Sequence, residues 1–494
     1  MTAAPSARGL AAPPEPELDD RVSGSTLYHL AACERRVWLL RHAPGEQAPP
    51  GEFDLALMER GRLHEEAVRR RFTGLVGPLW RWGQPLEPAA AETLRLLRES
   101  RAPLDQPLLL SADGRRVGVP DFLYWEDGAL VVHDAKLAES VDRKPEIALQ
   151  LTHYARLLEE AGFRVARLEI TSGLGEVLDV PRLDDASYDA AIARALELHG
   201  AAPEPDLLLA HSTCAECGFY DRCWDRAESE GRIEVLSGVR RNHLPILHGM
   251  GIRTIADLAA REPHELEVRG LGRLGPPMVL EARAHRDRRA VWIARPELPA
   301  GRPRVWLDLE GDPQDERFGH VIYLWGLGVE ETPGAFAAEA ILAGPGADGD
   351  ELGWRRFVER ASAVLDEFPE SVWVHYANYE KTWVRKYAER WGAPEGFLER
   401  LTPRLFDLYS ALIKWVRLPL RSYSIKHIAP WIGYAWSNPE SGSAWSIVQF
   451  RRACAADDPE VRRGILDEIA RYNADDLGAM RAVWDWVEAN GPKG

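Results

Sequence analysis

Residues 120–136 read PDFLYWEDGALVVHDAK, and this stretch predicts the core of the N-terminal half of the chain. Asp127 and Gly128 form the dipeptide that most often closes a two-residue β-hairpin. The residues on either side, 117–125 and 129–134, are apolar and β-branched or aromatic, as β-strands usually are. The stretch therefore predicts two neighbouring antiparallel strands.

Three polar side chains flank this hairpin. Asp134 and Lys136 are two residues apart, so in a strand they face the same side, and the hairpin can bring Asp121 alongside them. Two carboxylates bind a hard divalent cation such as Mg²⁺, which polarises a phosphate and activates water, while a lysine orients or stabilises the nucleophile. We therefore predict that Asp121 and Asp134 are metal ligands and that both act with Lys136 in catalysis. The alternative is that Asp-Ala-Lys is only the solvated end of a strand.

Other residues occur around this hairpin in a recognisable order. His64 lies upstream on a predicted helix, and Gln150 and Tyr154 lie downstream, one helical turn apart. Each alone is compatible with an ordinary surface or core role. Together with Pro-Asp and Asp-Ala-Lys they resemble the RecB-like branch of the PD-(D/E)XK nucleases. The resemblance implies a restriction-endonuclease-like core, a further metal ligand at His64, and contacts of Gln150 and Tyr154 with nucleic acid.

Four cysteines form a second pattern. Cys214, Cys217 and Cys223 have the spacing C-x2-C-x5-C, and Cys33 lies far upstream. Four thiolates hold either an iron–sulfur cluster or a structural zinc ion, and unligated thiols are a third reading. RecB-like nucleases of one type bracket their core in a similar way, which implies a [4Fe-4S] cluster that ties the two ends of the domain together. Cys454 has no partner in this pattern and is expected to be a packing residue.

The middle of the chain is basic within an acidic protein. Residues 231–300 contain 12 basic and eight acidic residues (12 − 8 = +4), whereas the whole chain carries −16. Paired glycines in this segment resemble those of helix-hairpin-helix motifs, whose backbone N–H groups bind phosphate without reading sequence. The predicted nucleic-acid contacts are Gly249, Gly251, Gly270 and Gly272, surrounded by Arg240, Arg241, Arg253, Arg269 and Arg273. A helical linker is the alternative.

The last third of the chain contains a second acidic set. Asp308 and Glu310 end an apolar strand and face the same side. Tyr472 and Asp476 are four residues apart on a predicted helix, and Glu380 begins a helix between these two motifs. Four carboxylates from separate elements can hold two metal ions for attack of water on a phosphodiester. Acids also commonly end strands without any such role.

This second set is similar to the DEDDy branch of the 3′–5′ exonucleases, and more closely to the YprB-type ribonuclease H-like domain. The resemblance implies metal ligation by Asp308, Glu310, Glu380 and Asp476, and a catalytic Tyr472 that orients the attacking water. Glu380 departs from the pattern, which has Asp at that place, and one extra methylene shifts a bound metal. Asp407 and Lys426 are expected to support the site.

Composition limits the class of protein. The chain has 494 residues, of which 45% are hydrophobic and 28% charged, as in globular multidomain proteins. It has no apolar run of about 18 residues and no signal sequence at its start, so we expect no membrane partner and a cytoplasmic location. Five cysteines in this length do not make a disulfide scaffold.

These patterns predict an α/β multidomain chain. The expected parts are a flexible tail (1–22), a RecB-like domain with the iron–sulfur cysteines (23–232), a helix-hairpin-helix segment (233–298) and a ribonuclease H-like mixed sheet with helices (299–494). The expected function is a Mg²⁺- or Mn²⁺-dependent nuclease, an exonuclease acting on DNA more than RNA, with two candidate sites. The alternatives are an iron–sulfur nucleic-acid-binding scaffold or sensor with one or both sites degenerate, and a nuclease in which only the N-terminal site works.

Overall fold

A computed structural model describes residues 21–81, 83–142, 144–209, 214, 217–313, 320–332, 335–344, 348–439 and 441–493. The predicted tail therefore lies outside the described residues up to residue 20, whereas Val22 already belongs to a strand. The chain forms two compact units, one of Met1–Leu207 with Ser212–Cys223 and one of Leu208–His211 with Trp224–Gly494. The predicted middle segment falls in the second unit.

The first unit mixes short strands with helices. In chain order its elements are β1 (Val22–Ser23), α1 (Gly24–Ala32), α2 (Glu34–His42), α3 (Glu52–Arg69), α4 (Leu86–Glu99), β2 (Leu104–Asp105), β3 (Leu109–Leu110), β4 (Arg116–Gly118), β5 (Phe122–Glu126), β6 (Ala129–Ala135), α5 (Pro145–Glu160), β7 (Val165–Thr171), β8 (Val177–Asp179) and α6 (Asp185–His199). A further helix, α7 (Tyr220–Ser229), begins near its end.

A five-stranded sheet of order β2-β5-β6-β7-β8 forms the centre of the first unit. Strands β5 and β6 pair antiparallel, with Asp127 and Gly128 at positive φ (48° and 76°) in the turn, so the predicted hairpin is confirmed. Strand β7 pairs parallel to β6, and α5 makes the crossover between them. The apolar face of α5, including Leu151 and Leu158, is fully buried on this sheet. Each such leucine contributes roughly 1.5–3 kcal/mol through burial.

The first helical region differs from the sequence-based prediction. The apolar spacing of residues 25–41 predicts one helix, but the structure has two, α1 and α2, separated at Cys33. Cys33 has extended backbone angles (φ −163°, ψ 113°). Ser23 is the N-cap of α1, since its side chain accepts a hydrogen bond from the Thr26 backbone N–H. The break places Cys33 at a corner rather than on a continuous helix face.

The second unit contains the remaining elements. In chain order they are α8 (Leu244–Gly249), α9 (Ile255–Ala259), α10 (Gly275–Asp287), β9 (Val291–Trp292), β10 (Arg304–Asp312), β11 (Val321–Thr332), β12 (Ala335–Leu342), α11 (Gly349–Glu367), β13 (Val372–His375), α12 (Tyr379–Trp391), α13 (Phe397–Leu401), β14 (Leu405–Asp407), α14 (Leu408–Trp415), β15 (Val416–Arg417), α15 (Ile425–Trp431), α16 (Ser443–Ala455) and α17 (Pro459–Asn490).

The main sheet of the second unit has the order β12-β11-β10-β13-β14. Strands β10, β11 and β12 are antiparallel neighbours, whereas β13 and β14 run parallel to β10. The long helix α17 packs on this sheet beside Gly326 of β11. Any larger residue at that position would clash with the helix, because its Cβ would lie 1.9 Å from Asn473 Oδ1. The glycine lets the helix approach closely enough to bring its polar residues to the strands.

The predicted α/β class is confirmed by these mixed sheets and the helices that cover them. Buried apolar side chains form large clusters. One cluster lies on each face of the second unit's sheet, and another packs against α5 in the first unit. No helix in the described ranges is both long and apolar enough to cross a lipid bilayer.

Candidate active sites

The hairpin of the first unit brings Asp121, Asp134 and Lys136 together. The Asp121 backbone N–H donates to Asp134 Oδ1 over 3.0 Å, and the Ala135 N–H donates to Asp121 Oδ2 over 2.8 Å. Lys136 Nζ lies 3.0 Å from Asp134 Oδ2. The two carboxylates therefore lie side by side at the ends of β5 and β6, as the sequence predicted, with the ammonium beside them.

The charges of this site are tightly linked. Burial, followed by the charge of Asp134, raises the pKa of Asp121 well above its usual value. Burial opposes protonation of Lys136, but Asp134 and Asp121 outweigh it and raise the pKa of the lysine. The two adjacent carboxylates outnumber the single ammonium, so when both are ionised they would attract a divalent cation.

His64 reaches the same side of the sheet but not the same point. Its Nε2 is 3.0 Å from the carbonyl oxygen of Thr171 at the end of β7. His64, Asp121 and Asp134 do not form a group of three ligand atoms within 4.8 Å of one another in the described parts of the chain. The predicted role of His64 as a third ligand therefore stays a prediction, and it requires a movement of the imidazole.

Gln150 and Tyr154 lie on α5 and are almost fully buried. Gln150 Nε2 donates to the Tyr154 hydroxyl over 3.0 Å, and Gln150 Oε1 is buried without a hydrogen-bond partner. Tyr154 lines a cavity of about 340 Å³ together with Gly24, Gly118 and Gln106. Asp134 and Asp121 contribute to the raised pKa of Tyr154, after burial, so the cavity lies near the acids.

The cysteine segments meet within the first unit. Cys217 and Cys33 both influence the pKa of Cys223, which burial raises first of all. The Cys217 backbone N–H donates to the Cys214 carbonyl over 3.0 Å. Cys33, Cys214, Cys217 and Cys223 form no disulfide bond with one another.

Ion pairs hold the two cysteine segments against each other. Arg35 is two residues after Cys33, and Arg222 is next to Cys223; both guanidinium groups bind Glu204 Oε1. Arg222 also pairs with Glu46. Segments that are distant in sequence are therefore fixed side by side by groups other than the thiols.

The predicted hairpins of the basic segment are tight helical turns. Gly249 ends α8, and Gly251, Gly270 and Gly272 have positive φ (75°, 93° and 51°). At the first turn, Asp257 Oδ2 accepts from the backbone N–H groups of Arg253 and Thr254. At the second turn, ahead of α10, the backbone N–H groups of Leu271 and Gly272 donate to the Val268 carbonyl oxygen. Both turns therefore use some of their backbone donors within the segment, and phosphate binding at either turn stays a prediction.

Three carboxylates converge in the second unit. Ligand oxygens of Asp308, Glu310 and Asp476 lie within 4.8 Å of one another, and this is the only such group of three in the described residues. Asp308 and Glu310 come from one face of β10, and Asp476 comes from α17. The strand and the helix thus assemble the acids that the sequence predicted.

Burial and mutual repulsion dominate the electrostatics of this cluster. Burial raises the pKa of Asp308 well above its usual value, and the charges of Asp476, Glu310 and Glu380 add to the effect. Burial and the charge of Asp476 raise the pKa of Glu310 to about 8. Such a cluster is costly to ionise unless a cation balances it.

Glu380 has a different environment. Its Oε2 lies 3.4 Å from His375 Nδ1, and Glu380 is not part of the group of three converging acids. Both atoms are buried, and neither meets the geometry of a hydrogen bond, although the charge of His375 favours the ionised form of Glu380. The charge of Glu380 still reaches Asp308, as its effect on that pKa shows. Metal ligation by Glu380 remains a prediction.

Tyr472 lies beside the cluster and is 3% exposed. Burial, followed by the charges of Glu310 and Asp476, raises its pKa, so the hydroxyl keeps its proton and can donate a hydrogen bond. Its ring lies 4.3 Å from Lys426 Nζ. These contacts are compatible with the predicted role in orienting water.

Several residues that contact the acids were not predicted, among them Tyr323, whose hydroxyl donates to Glu310 Oε2 over 3.5 Å. Asn473 Nδ2 donates to Asp308 Oδ2 over 2.7 Å, and Trp436 Nε1 donates to Asp476 Oδ1 over 2.7 Å. Asn473 was detectable, because it lies three residues before Asp476 and so on the same helix face. Trp436 lies in a loop 40 residues before Asp476, and no sequence pattern indicates its position.

Comparison with known families supports a ribonuclease H-like domain in the second unit. Residues 305–488 match the RNase_H_2 model of the RNase_H superfamily. The search of curated proteins found no match. The matched residues include all three converging acids, Tyr472 and Glu380. The predicted C-terminal ribonuclease H-like domain is therefore confirmed, and residues 305–488 are similar to the RNase_H superfamily.

Proposed function

We propose that this chain is a metal-dependent nuclease that hydrolyses phosphodiester bonds from an end, in DNA more than in RNA. The observation that carries the proposal is the convergence of Asp308, Glu310 and Asp476 inside a segment that matches the RNase_H superfamily. Nucleases of this fold use divalent metals, and their substrate is nucleic acid.

The three acids fit Mg²⁺ or Mn²⁺. Their donors are hard carboxylate oxygens, and burial first, then the charges of neighbouring acids, raises the pKa of Asp308 and of Glu310, so a cation would favour their ionised forms. A divalent cation held there would supply Lewis-acid charge to the phosphodiester and to the attacking water. Asn473 fixes the orientation of Asp308, and Tyr472 offers its hydroxyl proton to the water.

The first unit is proposed as a second, RecB-like nuclease site. Asp121 and Asp134 would hold a metal with His64, and the ammonium of Lys136 would orient the attacking water. Gln150 and Tyr154 would meet the nucleic acid through the cavity that Tyr154 lines. In the second unit, the turns of Gly249, Gly251, Gly270 and Gly272 are proposed to contact phosphate groups of the nucleic acid.

The test uses protein purified without oxygen, incubated with Mn²⁺ and end-labelled single-stranded DNA or RNA. Asp308→Ala and Lys136→Ala each remove one site, and each is expected to abolish a different part of the products. Lys144→Ala is the matched control for Lys136→Ala, because Lys144 is an exposed lysine that pairs with Glu146 and not with Asp121 or Asp134. If no variant differs from the wild type, neither site is the nuclease. If the wild type binds nucleic acid and never cuts it, the scaffold alternative is correct.

For the cysteines we propose a [4Fe-4S] cluster held by Cys33, Cys214, Cys217 and Cys223. Cys33 and Cys217 both contribute to the raised pKa of Cys223, after burial, and Arg35 and Arg222 fix their segments together. Anaerobically purified protein should be brown, with broad visible absorption that Cys217→Ser removes and Cys454→Ser keeps. A colourless protein that contains zinc would show that the alternative metal is bound.

A further inference from the structure

Lys426 lies inside the acidic cluster of the second unit. Its Nζ is 2.7 Å from Asp476 Oδ1. The ammonium also lies 4.1 Å from the ring of Trp436 and 4.3 Å from that of Tyr472. The carboxylate and the two rings therefore fix a positive charge at one position beside Asp476.

The contacts of Asp476 limit what else can bind there. Its Oδ1 accepts from both Lys426 Nζ and Trp436 Nε1, each at 2.7 Å. An oxygen with two short donors has little capacity left for a metal ion. Ligation of a cation by Asp476 is then left to its other oxygen, Oδ2.

The number of converging acids points the same way. A site for two metal ions uses four or more carboxylates in the pattern that the sequence predicted, but Glu380 lies against His375 and only three acids converge. Three ionised carboxylates carry three negative charges. One divalent cation and one ammonium carry three positive charges, so the set is balanced.

We propose that this site binds a single divalent cation and that the ammonium of Lys426 takes the place of the second metal ion. The inference rests on the proposed nuclease function of the same site. In two-metal nucleases the ions lie about 3.5–4 Å apart and stabilise the attacking and the leaving oxygens. The ammonium of Lys426 would supply one of those two charges next to the reacting phosphate.

The reaction balances without any further reactant. The water oxygen forms a bond to phosphorus, the bond between phosphorus and the leaving sugar oxygen breaks, and that oxygen takes up a proton released by the water. Lys426 keeps its charge throughout and stabilises the negative charge of the phosphate oxygens. Lys136 and Asp134 form a comparable pair in the first unit, at 3.0 Å.

The first test counts bound Mn²⁺ by electron paramagnetic resonance, without any nucleic acid. The wild type is compared with the double variant Asp308→Asn/Asp476→Asn, so that ions bound elsewhere cancel in the difference. We expect the double variant to lose one ion per chain. A loss of two ions would overturn the inference and leave the proposed function intact. No loss would refute the proposed metal site itself.

The second test changes the lysine. Lys426→Met keeps an unbranched side chain that is one atom shorter and removes the charge. It should bind one more Mn²⁺ than the wild type, with spectral broadening from two neighbouring ions. Lys426→Arg keeps the charge and should bind the wild-type number. An unchanged count in Lys426→Met, in a variant whose near-ultraviolet circular dichroism is native, would contradict the inference. If Lys426→Met does not fold, the comparison of wild type with the double variant still decides.

Discussion

In the first unit Lys136 Nζ lies 3.0 Å from Asp134 Oδ2, and in the second Lys426 Nζ lies 2.7 Å from Asp476 Oδ1. The two regions thus pair an acid with a lysine in the same way. They differ in how the remaining polar atoms are satisfied. Backbone N–H groups of the hairpin bind the acids of the first site, whereas side chains from distant segments bind those of the second.

This difference shows how each site is built. Residues 120–136 carry both acids and the lysine of the first site, so one hairpin fixes them. The second site needs β10, α15 and α17, which only the packed domain brings together. The first site should therefore be insensitive to changes in remote packing, and the second should depend on it. Five experiments test the two sites and the basic segment, from the largest expected effect to the smallest.

The largest effect is expected for Asp476→Ala. Loss of this carboxylate removes a metal ligand and the partner of Lys426, which should lower the rate of the second site about a thousandfold, the effect of several kcal/mol in the barrier. The rate is measured with Mn²⁺ in a Lys136→Ala background that silences the first site. Asp475→Ala is the matched control, because Asp475 binds Ser437 instead. An equal loss of rate in Asp475→Ala and Asp476→Ala would show that any substitution in this part of α17 lowers the rate, and that the Asp476 carboxylate has no special role.

A smaller effect is expected for Asn473→Ala. This change removes the hydrogen bond that orients Asp308 and should weaken metal binding or activity roughly 10- to 100-fold, as for other residues that support ligands. Half-saturating Mn²⁺ is measured in the same background. Asn490→Ala, on the same helix, should leave it unchanged. An unaltered Mn²⁺ requirement in Asn473→Ala would mean that Asp308 is held by the backbone alone.

The pH dependence distinguishes the buried acids. Because the pKa of Glu310 is raised to about 8 in the metal-free protein, protons compete with the metal below that pH. Half-saturating Mn²⁺ for the second site should rise as the pH falls from 8 to 6, by up to about tenfold per unit. Glu310→Asn is not suitable as a control, since it shortens the side chain, whereas Glu310→Gln should flatten the profile. A flat profile in the wild type would contradict the raised pKa.

The raised pKa of Glu310 also affects the stability of the metal-free protein. A higher pH strengthens Mn²⁺ binding but lowers this stability. In the metal-free folded protein Glu310 keeps its proton up to about pH 8, whereas the unfolded chain releases it near its usual value of 4.5. The folded state therefore binds more protons in this window, and the contribution of Glu310 to the free energy of unfolding falls as the pH rises from about 4.5 to 8. Thermal unfolding without metal, compared with Glu310→Gln, measures this contribution.

The smallest effect is expected in the basic segment. Arg269→Ala with Arg273→Ala removes two cations beside the second glycine turn and should weaken nucleic-acid binding uniformly across sequences. It should also reduce the salt slope of the binding constant by about two. Fluorescence anisotropy at several salt concentrations measures both quantities. Arg355→Ala with Arg385→Ala is a control with the same change in charge on helices α11 and α12. If both double variants have the same salt slope, the basic segment has no specific role in nucleic-acid binding.

The hairpin and the strand that carries Asp308 were predictable because their signals are local, whereas the predicted strand 117–125 is divided into β4 and β5, which belong to different sheets. Asp127 and Gly128 specify the turn, and the apolar runs around Asp308 specify the strand that carries it. The break at Cys33 was not predictable from spacing, because the residues on both sides keep helical periodicity. The family match over residues 305–488 confirms the ribonuclease H-like domain that was predicted from the positions of Asp308, Glu310, Tyr472 and Asp476.

The sequence by itself determined which acids share a face, since that follows from the periods of strand and helix. It therefore predicted Asp308 with Glu310, Tyr472 with Asp476, and the pair of Asp134 and Lys136. Only the tertiary structure decided which of these sets meet in space and what neutralises them. The contact of Lys426 with Asp476 spans 50 residues. Such a contact depends on the packing of whole helices against the sheet, where shape and burial act without a local signal.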